Sequence, residues 1–195
     1  IHYQQLFLNN TYAIEPRAGF KWLLGKRQSL NAAYGLHNQM QPLINYFYKT
    51  YNFNDNTYTQ TNRNMNFTQS NHYVLGYENM FSEYYRFKAE AYYQTQSKVP
   101  VNGAQADYFS MLNQGSDIGG LELVDSLVNT GRGKNYGIEI TIEKVFHKNY
   151  YVLFTTSLFE SFFKGSNQVW HHTAFSGGFV GNILTGYEHP FKNGK

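Results

Sequence analysis

The amino-acid sequence predicts an all-β fold, an antiparallel transmembrane β-barrel, of which this chain is a fragment of about eight long strands. Three observations support this prediction. Apolar and polar residues alternate over segments longer than the roughly 5 to 6 residues of a soluble strand. Short and long connections alternate between these segments. Of the 195 residues, 18% are aromatic and only 15% are charged, which suits a wall that faces lipid on one side.

Segments with a period of two residues are predicted to form the strands, the first of them truncated. In chain order these segments are residues 1–7, 12–24, 28–38, 71–81, 85–95, 134–146, 150–163 and 175–188. The alternation is clearest in residues 136–143, where isoleucines occupy one face and glutamates the other, because successive side chains point to opposite faces. It is weaker in the last two strands, where Leu153, Phe159 and Leu184 fall on the side expected to be polar.

The connections alternate in length, as they do in outer-membrane barrels, which have short periplasmic turns and long extracellular loops. Short turns are predicted at residues 24–27, 82–84, 147–149 and 192–195, and long connections at residues 39–70, 96–133 and 164–174. The connection at residues 8–11 is the exception, because it is short although it falls at the end of the sheet where long connections are expected. The alternation predicts a bacterial outer-membrane location with the long connections outside the cell.

The two faces of the predicted sheet differ in chemistry. The inward face is expected to hold Glu15, Arg17, Lys21, Glu78, Arg86, Lys88, Glu90, Glu139 and Glu143. Aromatic residues lie toward strand ends, at Trp22, Tyr73, Phe81, Tyr85, Tyr93, Tyr136 and Phe146. Amphipathic rings at these positions suit the two membrane interfaces, so the other face is expected to contact lipid.

Composition and motifs exclude several other classes. The longest apolar stretch, residues 150–154, is far shorter than the roughly 20 residues of a membrane-spanning helix. The chain has no cysteine, so disulfides and thiolate metal sites are excluded. A net charge of +3 without a basic run gives no sign of nucleic-acid binding. A soluble β-sandwich remains the alternative fold, although it explains neither the strand lengths nor the pattern of connections.

Several short segments carry a resemblance to a known family. They are Asn9-Asn10, Ile14-Glu15-Pro16-Arg17, Tyr34-Gly35-Leu36-His37, Gln41-Pro42-Leu43 and the run from Gly131 to Glu139. In the kinds of residue they contain and in their order, they resemble the barrels of TonB-dependent outer-membrane receptors of the Bacteroidetes type. The resemblance implies a barrel of roughly 22 strands with an N-terminal plug, energised by TonB. Neither plug nor TonB box is identified, so residues 1–195 are expected to be a single segment of the barrel domain.

Two motifs resemble a phosphate-binding loop and a metal site, but their sequence context favours neither. Gly131-Arg132-Gly133-Lys134 is glycine-rich and basic but leads into a strand, whereas a phosphate-binding loop leads into a helix. We therefore expect a flexible loop there. His171 and His172 lie in a predicted outer loop, but adjacent side chains rarely point the same way and no third metal ligand is evident. No metal site is predicted, and a contact between these histidines and a ligand is left open.

Other segments are candidates for a ligand path. Inward-facing polar residues that could line it are Arg86, Lys88, Glu90, Glu139, Thr141 and Glu143. An ordinary barrel also needs hydrated interior charges, and that explanation is favoured. Residues 46–67 interleave Tyr and Phe with Asn, Thr and Gln. Such a mixture can stack on sugars or chelators, or simply extend the strands above the membrane, and both alternatives stand.

The expected function is import of a scarce nutrient through a gated barrel. Outer loops would capture an iron chelate, glycan or peptide, and TonB-derived energy would release it inward. The alternatives are a passive porin and a non-transporting adhesin or assembly barrel. No catalytic motif stands in a supporting context, so we expect no enzyme activity, catalytic residue, metal or cofactor. The expected partners are outer-membrane lipid, TonB, the plug and the imported ligand, and not nucleic acid.

Overall fold

The computed structural model describes residues 1–103, 106–114 and 122–190, and it is built almost entirely of β-strands. The elements, in chain order, are β1 (His2–Leu6), β2 (Thr11–Glu15), β3 (Arg17–Leu23), β4 (Gln28–Gln39), α1 (Leu43–Phe47), β5 (Thr50–Asn52), β6 (Thr57–Thr59), β7 (Thr68–Met80), β8 (Tyr85–Asn102), a 3-10 turn (Met111–Asn113), β9 (Leu127–His147), β10 (Tyr150–Lys164), β11 (Trp170–His172) and β12 (Gly178–Tyr187). No helix among the described residues is long and apolar enough to cross a membrane.

The long strands form one antiparallel meander. The sheet is eight-stranded, with the order β3-β4-β7-β8-β9-β10-β11, and β12 pairs with β10 beside β11. Every strand predicted from the sequence is present, and β1 pairs with β2 in a separate hairpin. The short turns at residues 24–27, 82–84 and 147–149 are also confirmed, while the one at residues 192–195 lies outside the described residues.

The predicted strand at residues 12–24 is divided in two at Pro16, which has no N–H to donate to a ladder. Glu15, just before the break, is only 3% exposed. Its carboxylate accepts hydrogen bonds from Gln4 Nε2 at 2.9 Å, from Arg17 Nη2 at 3.1 Å and from the Asn38 backbone N–H at 2.5 Å. One buried carboxylate thereby joins the β1–β2 hairpin to the end of β4.

The strand register divides the sheet into two chemically distinct faces. Tyr34, Tyr73, Tyr93 and Tyr136 lie directly opposite one another on successive strands. We call these four residues the tyrosine row and the side that bears them the aromatic face. The opposite side, which bears Lys21, Glu78, Arg86 and Glu143, is the charged face. This division is the one that the alternation of residues predicted.

Structure within the long connections was not predicted. β8 and β9 run well beyond the predicted ends of their strands, which shortens the connection between them to residues 103–126. Residues 40–67 contain α1 and the small β5–β6 hairpin, and residues 165–177 contain β11. The expectation of a flexible loop at Gly131–Lys134 was wrong. These residues lie in β9, and a Cβ added to Gly131 would meet Val101 and the Val99 carbonyl oxygen, so the backbones approach too closely for a larger residue.

The weaker alternation in β10 and β12 has a structural reason. Leu153, Phe159 and Leu184 do lie on the charged face, as the pattern indicated. Leu153 pairs with Leu184, while Phe159 lies between two glycines, Gly137 on β9 and Gly178 on β12. The phenylalanine ring lies over Gly177, where an added Cβ would meet the ring at 3.2 Å, and so covers backbone that a glycine leaves bare.

Candidate functional site

Ion pairs cross the charged face from strand to strand. Glu78 on β7 lies between two cations, with Lys21 Nζ 4.0 Å from Oε2 and Arg86 Nη1 3.6 Å from Oε1. Arg86 continues the series, because its Nε lies 2.9 Å from Glu143 Oε2 on β9. Four residues from four strands thus form one network of alternating charge, which we call the ion-pair ladder. Charges of opposite sign on nearby strands attract one another, and β4 is the one strand between β3 and β9 that contributes no charge to the series.

The charges between the ion-pair ladder and the level of the tyrosine row are less well balanced. Glu90 and Glu139 lie directly opposite each other on β8 and β9. Only Glu90 has an ion-pair partner among the described residues, Lys88 Nζ at 2.5 Å. Like charges opposite one another are unfavourable unless water or a cationic group solvates them. This part of the charged face therefore requires contact with water or with a polar partner.

A shallow groove of about 350 Å³ runs over the same two glutamates. It is lined by His72, Val74, Glu90, Tyr92, Gln94 and Glu139. Of the predicted inward residues, Glu90 and Glu139 line this open polar groove, and Arg17, Lys21, Glu78, Arg86, Lys88 and Glu143 lie on the same side of the sheet. Glu15 was predicted there as well but lies buried in the separate β1–β2 hairpin, because the strand breaks at Pro16. Among the described residues, no group of three His, Cys, Asp or Glu side chains is placed to hold a metal ion.

The long connections pack together at one end of the sheet into a compact unit, which we call the loop cap. Its core consists of Tyr46 from α1, Met65, Phe109 and Leu127, with Tyr46 fully buried. Burial raises the pKa of the Tyr46 phenol, and a hydrogen bond from the Gln41 backbone N–H opposes that rise. The core contains residues from the first two long connections, so these loops support each other.

Asparagine side chains join the connections by hydrogen bonds to backbone. Asn62, which is 0% exposed, donates through Nδ2 to the Val124 carbonyl at 2.7 Å and accepts at Oδ1 from the Leu127 N–H at 2.8 Å. Asn129 Nδ2 donates to the Lys98 carbonyl at 2.7 Å. Buried backbone groups must be paired, and these amides supply the partners where no ladder exists.

The aromatic segment at residues 46–67 divides into a buried part and an exposed part. Tyr46 and Met65 belong to the core of the loop cap, and Phe67 is buried as well. The β5–β6 hairpin instead presents Tyr51, Phe53 and Tyr58 to solvent. We call these three residues the aromatic hairpin.

Within the aromatic hairpin the rings contact one another. The Tyr51 ring centroid lies 4.8 Å from that of Phe53 and 5.0 Å from that of Tyr58. Phe53 is 85% exposed and Tyr58 is 67% exposed. Exposed rings grouped in this way give a surface on which a flat or ring-shaped ligand can stack.

The two histidines of the outer connection do not act together. His171 and His172 are consecutive residues of β11, so their side chains point to opposite faces. The His171 ring packs beside Phe163 with centroids 5.5 Å apart, and its Nε2 lies 2.9 Å from Asn167 Nδ2. His172 Nδ1 lies 3.2 Å from Glu160 Oε2. Each histidine has its own neighbours in the sheet.

Comparison with known proteins bears on the fold. No family model matches the sequence, and no curated protein matches it. Among solved structures, the FrpB iron transporter from Neisseria meningitidis, F3-3 variant, is similar with a TM-score of 0.52 and 13% sequence identity. The similarity covers 82% of this chain and 21% of that chain.

The chain has the fold of an outer-membrane barrel wall. The likeness confirms the predicted fold class, a large antiparallel sheet from a barrel, and at 13% identity it shows the fold alone. It agrees with the β-fold that the resemblance implied and gives no support to the Bacteroidetes type. This chain spans 21% of the length of the FrpB chain.

Sequence reasoning missed two parts of the site. It did not separate the buried Tyr46 from the exposed rings of the hairpin, although the turn-forming run Asn54-Asp55-Asn56 between Tyr51 and Tyr58 was a signal for a hairpin. It also did not identify the role of Asn62, which no local pattern distinguishes from the other asparagines of the segment.

Proposed function

We propose that residues 1–195 are one segment of the barrel domain of a bacterial outer-membrane receptor that imports a scarce nutrient with TonB-derived energy. In this proposal the charged face lines the lumen and the aromatic face contacts lipid. The plug domain would lie elsewhere in the protein. The chain would supply binding and a path, with no catalytic step and no cofactor.

The observation that carries this proposal is the contrast between the two faces. Between the tyrosine row and Lys144, the aromatic face bears no charged side chain in the described strands. From Tyr136 to Lys144 the chain advances roughly 27 Å at about 3.4 Å per residue, or roughly 21 Å along the membrane normal at a tilt of about 40°. That height is close to the apolar band of an outer-membrane barrel, which is about 25 Å tall.

The loop cap supports the assignment of a binding role to the end that bears the long connections. Specific ligand contacts are concentrated on loops that a rigid scaffold positions, and this cap has its own core. Within it, the aromatic hairpin is the surface suited to a planar or cyclic ligand such as an aromatic iron chelate or a glycan. The groove over Glu90 and Glu139 is the polar surface along which a released ligand would pass.

Accessibility of two adjacent positions on β9 tests the placement of the faces. Ile140 lies on the aromatic face opposite Ala89 and Thr156, whereas Thr141 lies on the charged face opposite Lys88. In the full-length protein reconstituted in lipid, a nitroxide at position 140 is expected to be accessible to oxygen and shielded from a polar relaxant. A nitroxide at position 141 is expected to show the reverse.

A label at position 140 that is shielded from both reagents would lie in a protein core, as in a soluble sandwich. That result would overturn the membrane placement. Labels at positions 142 and 143 repeat the comparison on the same strand, so a local distortion at one position cannot decide the outcome.

Energy dependence distinguishes the receptor from the alternatives. Cells that express the full-length protein would be offered a ferric catecholate, a linear maltooligosaccharide and a peptide of about ten residues, each with and without a protonophore. Uptake that the protonophore abolishes supports a TonB-driven receptor. Uptake that persists indicates a passive porin, and surface binding without uptake indicates an adhesin.

A further inference from the structure

A group of cations lies on the aromatic face, just beyond the tyrosine row on the side of the loop cap. Lys134 is two residues from Tyr136 along β9, and Arg132 is two residues further. Arg132 pairs directly with Lys164 on β10, so both side chains lie on the same face. Lys164 in turn pairs with Trp170 on β11. Neighbouring strands thus place three cations and one indole together, and we call them the cationic cluster.

Aromatic rings hold two of these cations in place. Lys134 Nζ lies 4.9 Å from the ring centroid of Phe162 and 4.6 Å from that of Trp170. Lys164 Nζ lies 5.4 Å from the centroid of the same indole. Both ammonium groups therefore use the Trp170 ring, an arrangement that holds two like charges close to each other.

The cationic cluster has no counter-charge of its own. Arg132, Lys134 and Lys164 make no ion pair with a carboxylate among the described residues. The Glu160 carboxylate lies on the same face, 3.2 Å from His172 Nδ1, and it can offset at most one of the three cations. By contrast, every cation of the ion-pair ladder on the charged face lies beside a carboxylate. An external anion is needed to balance this cluster.

We propose that the cationic cluster binds the phosphate of a lipid headgroup in the leaflet that surrounds the loop-cap end of the barrel. The inference rests on the membrane placement proposed above, and it adds a specific lipid site to it. Lys134 lies roughly 7 Å along the strand from the tyrosine row, at about 3.4 Å per residue. Tyrosine and tryptophan rings mark the level of the headgroups, so the three cations face the phosphate layer.

Each member of the cluster suits a phosphate. The Arg132 guanidinium can donate two parallel hydrogen bonds to phosphate oxygens. The two lysines add point charges beside it. The indole of Trp170, which is 40% exposed, suits the boundary between acyl chains and headgroups. A carboxylate ligand would use one or two of these groups, whereas a phosphate monoester can use all three.

Lipid retention by the purified full-length protein tests this inference. The protein in neutral detergent would be mixed with dioleoyl phosphatidic acid or with dioleoyl phosphatidylcholine, and bound lipid counted by native mass spectrometry. The wild type is expected to retain phosphatidic acid preferentially. Lys134→Gln/Lys164→Gln is expected to weaken that retention roughly twenty-five-fold, because each cation near a phosphate layer contributes about a factor of five. Lys49→Gln/Arg63→Gln removes the same charge from the loop cap and is expected to change retention less than twofold.

The outcomes separate the possible failures. Equal retention of the two lipids by the wild type, or an equal loss in both variants, would overturn the lipid site while leaving the barrel unaffected. Displacement of phosphatidic acid by millimolar inorganic phosphate would show a site for the free anion instead. Heat-modifiable migration in phosphatidylcholine vesicles checks the membrane placement separately. A protein that does not insert there would overturn both proposals.

Discussion

Arginine at Ile140 is expected to destabilise the barrel strongly, whereas arginine at the next residue is expected to be tolerated. Ile140 lies four residues from Tyr136 and six from Phe146 on β9. At about 3.4 Å per residue and a tilt of about 40°, it lies roughly 10 Å below the tyrosine row, close to the middle of the apolar band. An arginine there loses its hydration, and the free energy of unfolding is expected to fall by about 2 to 4 kcal/mol.

Thr141 lies in a different environment although it is adjacent in sequence. It faces Lys88 and Thr155 across the sheet and has Glu139 and Glu143 two residues away on its own strand. An arginine there gains attraction to two carboxylates and repulsion from one lysine, all in hydrated surroundings. The net change is expected to stay within about 1 kcal/mol.

Urea titration of the full-length protein in lipid vesicles, followed by heat-modifiable migration, measures both effects. Ile140→Leu is the control, since it keeps an apolar side chain of the same size, and its effect is expected to be below about 1.5 kcal/mol. Equal losses of stability for Ile140→Arg and Thr141→Arg would refute the assignment of the two faces.

Further predictions concern the loop cap, the sheet and the orientation. Asn62→Ala removes two buried hydrogen bonds and is expected to lower the free energy of unfolding of the cap by about 1 to 3 kcal/mol, seen as faster proteolysis, while the exposed Asn54→Ala leaves it unchanged. Gly137→Val is expected to reduce the folded fraction in vesicles, because its Cβ would lie 2.6 Å from a carbonyl oxygen of β10. Trypsin added to intact cells is expected to cut at Arg63 and to spare Lys148, and the opposite result would reverse the orientation.

The candidate site was only partly predictable from the sequence, because the deciding contacts join residues that are far apart in the chain. The inward charges followed from alternation alone, so the membership of the ion-pair ladder was predictable. Its pairing was not, since Lys21, Glu78 and Arg86 are brought together only by the register between strands. The same holds for Trp170, which meets Lys134 only because β11 pairs with the end of β10.

The sequence by itself determined which segments form the long strands, and it determined the two chemistries of the sheet. Side-chain direction alternates along any strand, so residues such as Ile140 and Thr141 were assigned to opposite faces without knowledge of their neighbours. Turn-forming residues likewise marked the short connections. These properties are local, and local order along the chain is enough to fix them.

Only the tertiary structure decided which residues of the long connections are buried and which are exposed. Tyr46 and Tyr58 belong to the same aromatic segment, yet Tyr46 is fully buried and Tyr58 is 67% exposed. The difference arises because Phe109 and Leu127 come from a distant segment and cover one ring but not the other. Burial in the loop cap depends on which segments meet in space, and residue types within one segment do not contain that information.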